Sequence, residues 1–274
     1  MAEQQNGCEP SDCANCAQAG NCSSKPEDMK ATPNPFSDVK KVIAVISGKG
    51  GVGKSMVTAS LARKMVKEGK KVGILDADVT GPSIPKMYGV HEKAMGNDGG
   101  IFPAEAKDGT KIMSINLLLE NETDPVIWRG PVISGMVQQF WTEVMWGEMD
   151  YLFVDMPPGT GDVPLTVFQS LPVDGVVIVT SPQDLVSMIV KKAYSMAEQM
   201  NIPVLGIIEN YSYLTCPNCG EQIPLFGESK IESIAEEMDV PVLGKMPVDM
   251  ALAQAVEDEN FSEVENEYLA DVEL

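Results

Sequence analysis

The chain has 274 residues, of which 44% are hydrophobic and 22% charged, a composition that supports a large buried core and not a disordered polypeptide. Twenty Lys and Arg against forty Asp and Glu leave a formal net charge of −20 at pH 7. Nucleic acid and anionic membrane surfaces are bound through cationic side chains, so this balance argues against both as partners. A single histidine, His91 within GVHEKAMGNDGG, rules out a multi-histidine metal site and reads as a solvated loop residue. No apolar run approaches the ~18 residues of a membrane span. The opening MAEQQN has neither the basic nor the apolar segment of a secretion signal. The expectation is a soluble, cytoplasmic protein.

Residues 1–38 carry only Met1, Met29 and Phe36 as large apolar side chains. Such a segment cannot bury a core and is read as a flexible arm. It holds Cys8, Cys13, Cys16 and Cys22 in the spacing C-x4-C-x2-C-x5-C. In a reducing compartment crowded thiols ligate metal more often than they form disulfides. Zinc and a [4Fe–4S] cluster are the two candidates; four ligands crowded without a long intervening loop favour iron–sulfur.

From residue 39 the pattern changes to that of a folded domain, read as extending to 256. The apolar run 41–47 predicts a buried parallel strand. Val57, Leu61 and Met65 then recur at helical spacing, with Gly69 as the stop. Between strand and helix lies Gly48-Lys49-Gly50-Gly51-Val52-Gly53-Lys54-Ser55, which matches G-x4-G-K-[ST] in the required context. Glycines there let successive backbone N–H groups face phosphate oxygens, and the helix N-terminus adds its dipole. Lys54 is expected on the β- and γ-phosphates and the Ser55 hydroxyl on Mg²⁺.

Further strands are predicted at 71–76, 111–115, 151–155, 175–180, 204–210 and 242–246, with a clear amphipathic helix over 183–200. Strands alternating with helices imply an α/β, doubly wound, mostly parallel sheet. Asp155 ends its strand and opens DMPPGTGD, a place suited to holding the Mg²⁺ shell through water. Asp78, in DADVTGPS, is a candidate for positioning the attacking water or the metal, while Asp76 is read equally as a structural or a catalytic acid. Cys216-Pro-Asn-Cys219 supplies two ligands only. It is half of a metal site, a redox pair or inert thiols; a second copy of the chain related by a two-fold axis would complete a four-thiolate site. Residues 257–274 hold eight acids and no Lys or Arg, yet keep Phe261, Val264, Tyr268, Leu269 and Val272 at helical spacing. An acidic, docked C-terminal helix is predicted.

In combination, GKGGVGKS, DADVTGPS, DMPPGTGD and IIENYSYLTCPNCG resemble the deviant Walker A ATPases and, within them, the Mrp/Nbp-type iron–sulfur carrier ATPases. The likeness spans about residues 40 to 250. It implies a P-loop NTPase fold, a homodimer around two nucleotides, and a [4Fe–4S] cluster bridged by Cys216 and Cys219 of each subunit. It also implies that Lys49 reaches the partner's phosphates, that Asp78 activates water, and that Asp155 couples γ-phosphate and Mg²⁺ to the loop after it. Asn210 would contact adenine, with Pro247 packed nearby. The arm resembles the ferredoxin-like extension of one branch; Cys13, Cys16 and Cys22 keep its spacing, and the gap from Cys8 to Cys13 is shorter.

The expected function is an ATP-binding and slowly hydrolysing carrier that receives a [4Fe–4S] cluster from a donor and passes it to apo-proteins. The alternative is a dimeric positioning or regulatory ATPase whose cysteines hold structural zinc. That reading calls for a basic surface or basic C-terminal helix, which the acidic C-terminal segment opposes. An electron-transfer ATPase with a bridging cluster ranks lower, because its ligands would not be packed as CPNC.

Overall fold

The apolar run at 41–47 forms the middle of the sheet in a computed structural model that describes residues 30–274, except 80, 82, 122–129, 183–185 and 266. It belongs to strand β1 (Ser37–Ser47), whose last six residues are all buried. Helix α1 (Lys54–Lys67) returns the chain to β2 (Val72–Asp76), which is buried throughout. The short α2 (Ile84–Met87), a two-residue ribbon of β3 (Gly96–Asn97) and β4 (Gly100–Ile101), and strands β5 (Ala104–Glu105) and β6 (Lys111–Met113) follow. Then come α3 (Gly130–Thr142), β7 (Gly147–Asp155), α4 (Asp162–Ser170), β8 (Gly175–Thr180), α5 (Val186–Gln199) and β9 (Val204–Glu209). The last part holds β10 (Leu214–Thr215), β11 (Gln222–Ile223), α6 (Ile231–Glu237), β12 (Val242–Lys245) and α7 (Met250–Glu257).

Eight strands make the main sheet in the order β12-β9-β8-β1-β7-β2-β6-β5. All neighbours run parallel except β5, which is antiparallel to β6. Period-two alternation within β1 divides the core. Val42, Ala44 and Ile46 join a cluster with residues of α3, α4, α5 and α6, whereas Ile43 and Val45 join one with α1, α2 and α7. Helices thus cover both faces, as expected of a doubly wound sheet. Parallel strands bring their carboxyl ends to one edge, where Ser47, Asp76, Asp155 and Glu209 are all buried. That edge is where open α/β sheets bind ligands.

Two boundaries differ from the sequence reading. Residues 30–38 are part of the folded body and not of a free arm. The Ala31 N–H donates to the Ser170 carbonyl at 2.7 Å, and Trp141 Nε1 donates to the Ala31 carbonyl at 2.9 Å. Lys30 Nζ donates to the carbonyls of Phe168 and Leu171 at 2.7 and 2.6 Å. These are polar and backbone contacts, invisible to a count of apolar side chains. The remainder of the arm, with Cys8, Cys13, Cys16 and Cys22, lies outside the described residues.

The predicted C-terminal helix is the second difference. After α7 there is a 3₁₀ turn at Phe261–Glu263 and then turns, although Phe261, Leu269 and Val272 do dock against the α1 face. Glu257, Asp258 and Glu259 stand at the carboxyl end of α7, where negative charge opposes the helix dipole. Glu259 turns left-handed there with φ 59°, which ends the helix. His91 is exposed as expected, with Nε2 2.7 Å from Glu259.

The docked residues 30–36 can be tested at Asn34, which is buried and donates from Nδ2 to the carbonyls of Gly99 and Glu143 at 2.9 and 3.2 Å. Asn34→Ala is expected to lower the unfolding free energy in urea by about 1–3 kcal/mol, the cost of stranding buried polar groups. A loss under about 0.5 kcal/mol, the scatter of surface substitutions, would return these residues to the arm.

Candidate nucleotide site and cysteine hairpin

β1 ends inside the sheet, and the chain must turn sharply to enter α1. Gly51 and Gly53 make that turn with φ of 79° and 74°. Gly53 also caps α1 without a side-chain hydrogen bond, so the helix opens on backbone N–H groups that suit an anionic ligand. A Cβ at Gly53 would lie 2.1 Å from Asn210 Nδ2. The position is closed to any side chain on two independent grounds.

Asp155, at the end of β7, is wholly buried and gathers the first turn of α1 around it. Lys54 Nζ donates to Oδ1 at 2.6 Å, the Ser55 hydroxyl donates to Oδ2 at 2.5 Å, and the Thr58 hydroxyl donates to Oδ1 at 2.9 Å. Lys54 is itself only 6% exposed. The two side chains that the sequence assigns to phosphate and Mg²⁺ are therefore both held by this one carboxylate. Ser55 and Asp155 offer adjacent hard oxygens, which fit a divalent cation carrying phosphate. An incoming phosphate would compete with Asp155 for the ammonium of Lys54.

Asp76, at the end of β2, sits in register with Asp155 and is also fully buried. Burial, and after it the Asp155 charge, push its carboxyl well above the usual carboxylate range, with Lys54 acting in the opposite sense. Its oxygens accept from the Asp78 N–H and the Ser114 hydroxyl, each at 3.2 Å. Asp76 thereby anchors the backbone of Asp78. Asp78 is half-buried and lines a cleft of about 310 Å³ together with the glycine loop, Ser83, Pro158 and Tyr211. Lys49 is half-buried on the loop, and its carbonyl accepts from the Ser47 hydroxyl at 3.0 Å.

Asn210 follows β9 and is fully buried. Its Nδ2 donates to the Val52 carbonyl at 2.9 Å, so its amide braces the glycine loop. Pro247 is buried in the connection from β12 to α7. The sequence reading missed Thr58, Ser114, Glu209 and Tyr211. Thr58 had a usable signal, since it lies one helical turn beyond Lys54 on the same face. The other three are joined to the site only by tertiary structure.

Cys216 and Cys219 lie on a separate two-stranded hairpin in which β10 pairs antiparallel with β11. The Cys216 N–H donates to the Glu221 carbonyl at 2.8 Å, and the Gly220 N–H donates to the Cys216 carbonyl at 2.9 Å. Gly220 allows this tight return with φ 77°. Cys216 is half-buried and Cys219 exposed. Hydrogen bonds from the backbone N–H groups of Asn218 and then Cys219, with the Cys219 thiol, hold the Cys216 thiol below its usual range. That favours the thiolate, the form that binds metal. Among the described residues no group of three or more His, Cys, Asp or Glu is placed to hold a metal ion. The pair thus offers two thiols, half the number that a four-thiolate metal site uses.

A family model described as ParA: NUBPL iron-transfer P-loop NTPase matches residues 38–272. The chain belongs to this family. An iron-sulfur cluster carrier protein of Clostridium perfringens is 44% identical over 260 residues, covering 89% of this chain and 91% of that protein. One of Methanocaldococcus jannaschii is 48% identical over 231 residues, covering 84% and 79%. Among solved structures, the nucleotide-binding protein of Archaeoglobus fulgidus in complex with ADP superposes with a TM-score of 0.80 at 43% identity, covering 91% of this chain and 98% of that one. The cell-division protein MinD of Aquifex aeolicus, at TM-score 0.58 and 20% identity, shares the fold alone. The mostly parallel sheet is accordingly a P-loop NTPase fold, and the family is one of nucleotide-binding iron–sulfur carriers. No helix among the described residues is long and apolar enough to cross a membrane.

Two outcomes test the nucleotide site. Gly53→Ala is expected to abolish binding of ADP in calorimetry, because the new methyl displaces Asn210 and strains a left-handed turn. Asp76 makes a pH prediction. Its carboxyl holds its proton more tightly folded than unfolded, so its stabilising contribution is full below the ordinary value of 3.8 and fades as pH rises through the elevated folded value. Urea midpoints measured from pH 4 upward should fall less steeply for Asp76→Asn than for the native chain.

Proposed function

We propose that this protein is an ATP-dependent iron–sulfur carrier working as a homodimer in the cytoplasm. Its cargo is a [4Fe–4S] cluster bound by Cys216 and Cys219 of both subunits, accepted from a donor and delivered to apo-proteins. The observation that carries this reading is the hairpin itself. It presents two thiols, one favoured as thiolate and one exposed, with no third ligand placed beside them among the described residues. A two-fold related copy supplies the missing pair, and the iron-transfer family supports iron–sulfur over zinc.

The residues of the glycine loop, Gly48 to Ser55, bind the phosphates. Lys54 exchanges the Asp155 carboxylate for β- and γ-phosphate oxygens. Ser55 and Asp155 would hold Mg²⁺, which neutralises phosphate charge when bound. Lys49 crosses to the partner's phosphates, and Asp78 orients the attacking water from the cleft wall. Asn210 and Pro247 serve the adenine. Slow hydrolysis resets the dimer, and since nucleotide and cluster both lie at its seam, a change of subunit spacing reaches the cluster. Cys8, Cys13, Cys16 and Cys22 of the arm hold a second cluster.

Anaerobic reconstitution with iron and sulfide tests the assignment. Mössbauer spectra of the native protein should show [4Fe–4S], and Cys216→Ala with Cys219→Ala should remove one cluster per dimer and leave that of the arm. Zinc retained in place of any cluster would instead establish the dimeric positioning or regulatory ATPase.

A further inference from the structure

Every residue from 217 to 228 is exposed, so the cysteine hairpin has almost no core of its own. Its orientation must be set where it joins the body. Both ends of the excursion meet one buried carboxylate there. Ser212, before the hairpin, donates to Glu209 Oε2 at 2.6 Å, and Ser229, after it, donates to Glu209 Oε1 at 2.8 Å. Glu209 is 1% exposed and is the last residue of β9. A buried carboxylate that loses its donors is costly, which makes these two bonds persistent.

The next residue faces the other way. Asn210 holds the Val52 carbonyl of the glycine loop, and its Oδ1 accepts the Tyr211 N–H at 2.9 Å. Tyr211 is left-handed with φ 57°, a conformation disfavoured for a bulky residue and maintained by this joint. Its hydroxyl lies 2.8 Å from where a Gly53 Cβ would stand. The joint is also tied to the sheet, since the Asn210 N–H donates to Thr180 at 2.8 Å and the Ser212 N–H to Met246 at 2.8 Å. Two adjacent residues therefore grip the nucleotide loop and the root of the cysteine hairpin, with one peptide bond between them.

We propose that Glu209 is a positioning residue that sets the angle of the Cys216–Cys219 hairpin and, through Asn210, makes that angle depend on the state of the glycine loop. The proposal rests on nucleotide binding at that loop. A phosphate that draws the loop toward itself moves the Val52 carbonyl, and the Asn210 side chain follows it. Glu209 shares the backbone of Asn210 and carries both serines with it, so the thiols change their exposure with nucleotide.

The test uses the full-length, reduced, metal-free chain with Mg²⁺ and a non-hydrolysable ATP analogue. Alkylation rates of Cys216 and Cys219 are followed by peptide-resolved mass spectrometry, which separates them from the thiols of the arm. Binding of the analogue is measured in parallel. Nucleotide should change the native rates by about fivefold or more, the low end of ordinary site-to-site coupling. Glu209→Ala should bring that ratio to about one at saturating analogue, and Glu209→Gln, able to bond both hydroxyls, should restore it. Should Glu209→Ala not fold, Ser229→Ala, which removes one half-buried hydroxyl, is expected to diminish the ratio in the same way. A native ratio of one despite binding, or a full ratio in Glu209→Ala, overturns the proposal. Absence of binding to the native chain overturns the ATPase reading and the coupling with it.

Discussion

A carboxylate at zero exposure is tolerable only if its charge and lone pairs are answered on the spot, and Asp155 is answered by Lys54, Ser55 and Thr58 together. Breaking a buried pair of this kind costs about 3–5 kcal/mol, so the first turn of α1 is bound to the end of β7 across the sheet edge. The arrangement can exist only because β7 lies beside β1, which delivers the glycine loop. It also places Asp76, whose burial already favours the neutral carboxyl, next to a negative charge that pushes the same way.

The same group organises the side chains suited to phosphate and Mg²⁺, since Lys54 and Ser55 are both partnered to Asp155. A phosphate that took the Lys54 ammonium would leave the buried Asp155 charge to be answered by another cation. Binding in such a site is linked to rearrangement by charge balance alone. On the opposite side of β1, the end of β9 places Asn210 under the glycine loop and Glu209 under the cysteine hairpin. The loop is gripped from both flanks of the strand that carries it.

Much of this is legible in the sequence. The strand at 175–180 coincides with β8, and those at 71–76 and 151–155 fall within four residues of β2 and β7, because a strand buried on both faces leaves an unbroken apolar run that ends at turn residues. GKGGVGKS was legible because its chemistry is local: eight consecutive residues make the turn and the helix start, with the backbone N–H groups that suit an anion. Residues 30–36 were misread because carbonyls of Ser170, Phe168 and Leu171 hold them, and backbone acceptors leave no mark in a composition. The C-terminal stripe misled for the reverse reason. Its apolar residues do bury, but the acids at the end of α7 and the left-handed Glu259 prevent a helix from presenting them.

The sequence by itself determined the class of fold, the nucleotide loop and the paired thiols, since each is written in neighbouring residues whose physics is short-range. What only the tertiary structure decided is which distant groups answer one another. Asp155 is 100 residues from Ser55, and Asn210 is 158 residues from Val52. Their pairing follows from the order of strands in the sheet, which no local pattern encodes. The clamp at Glu209 belongs to the same class: two serines 17 residues apart converge on one carboxylate only when the hairpin between them has folded back on itself.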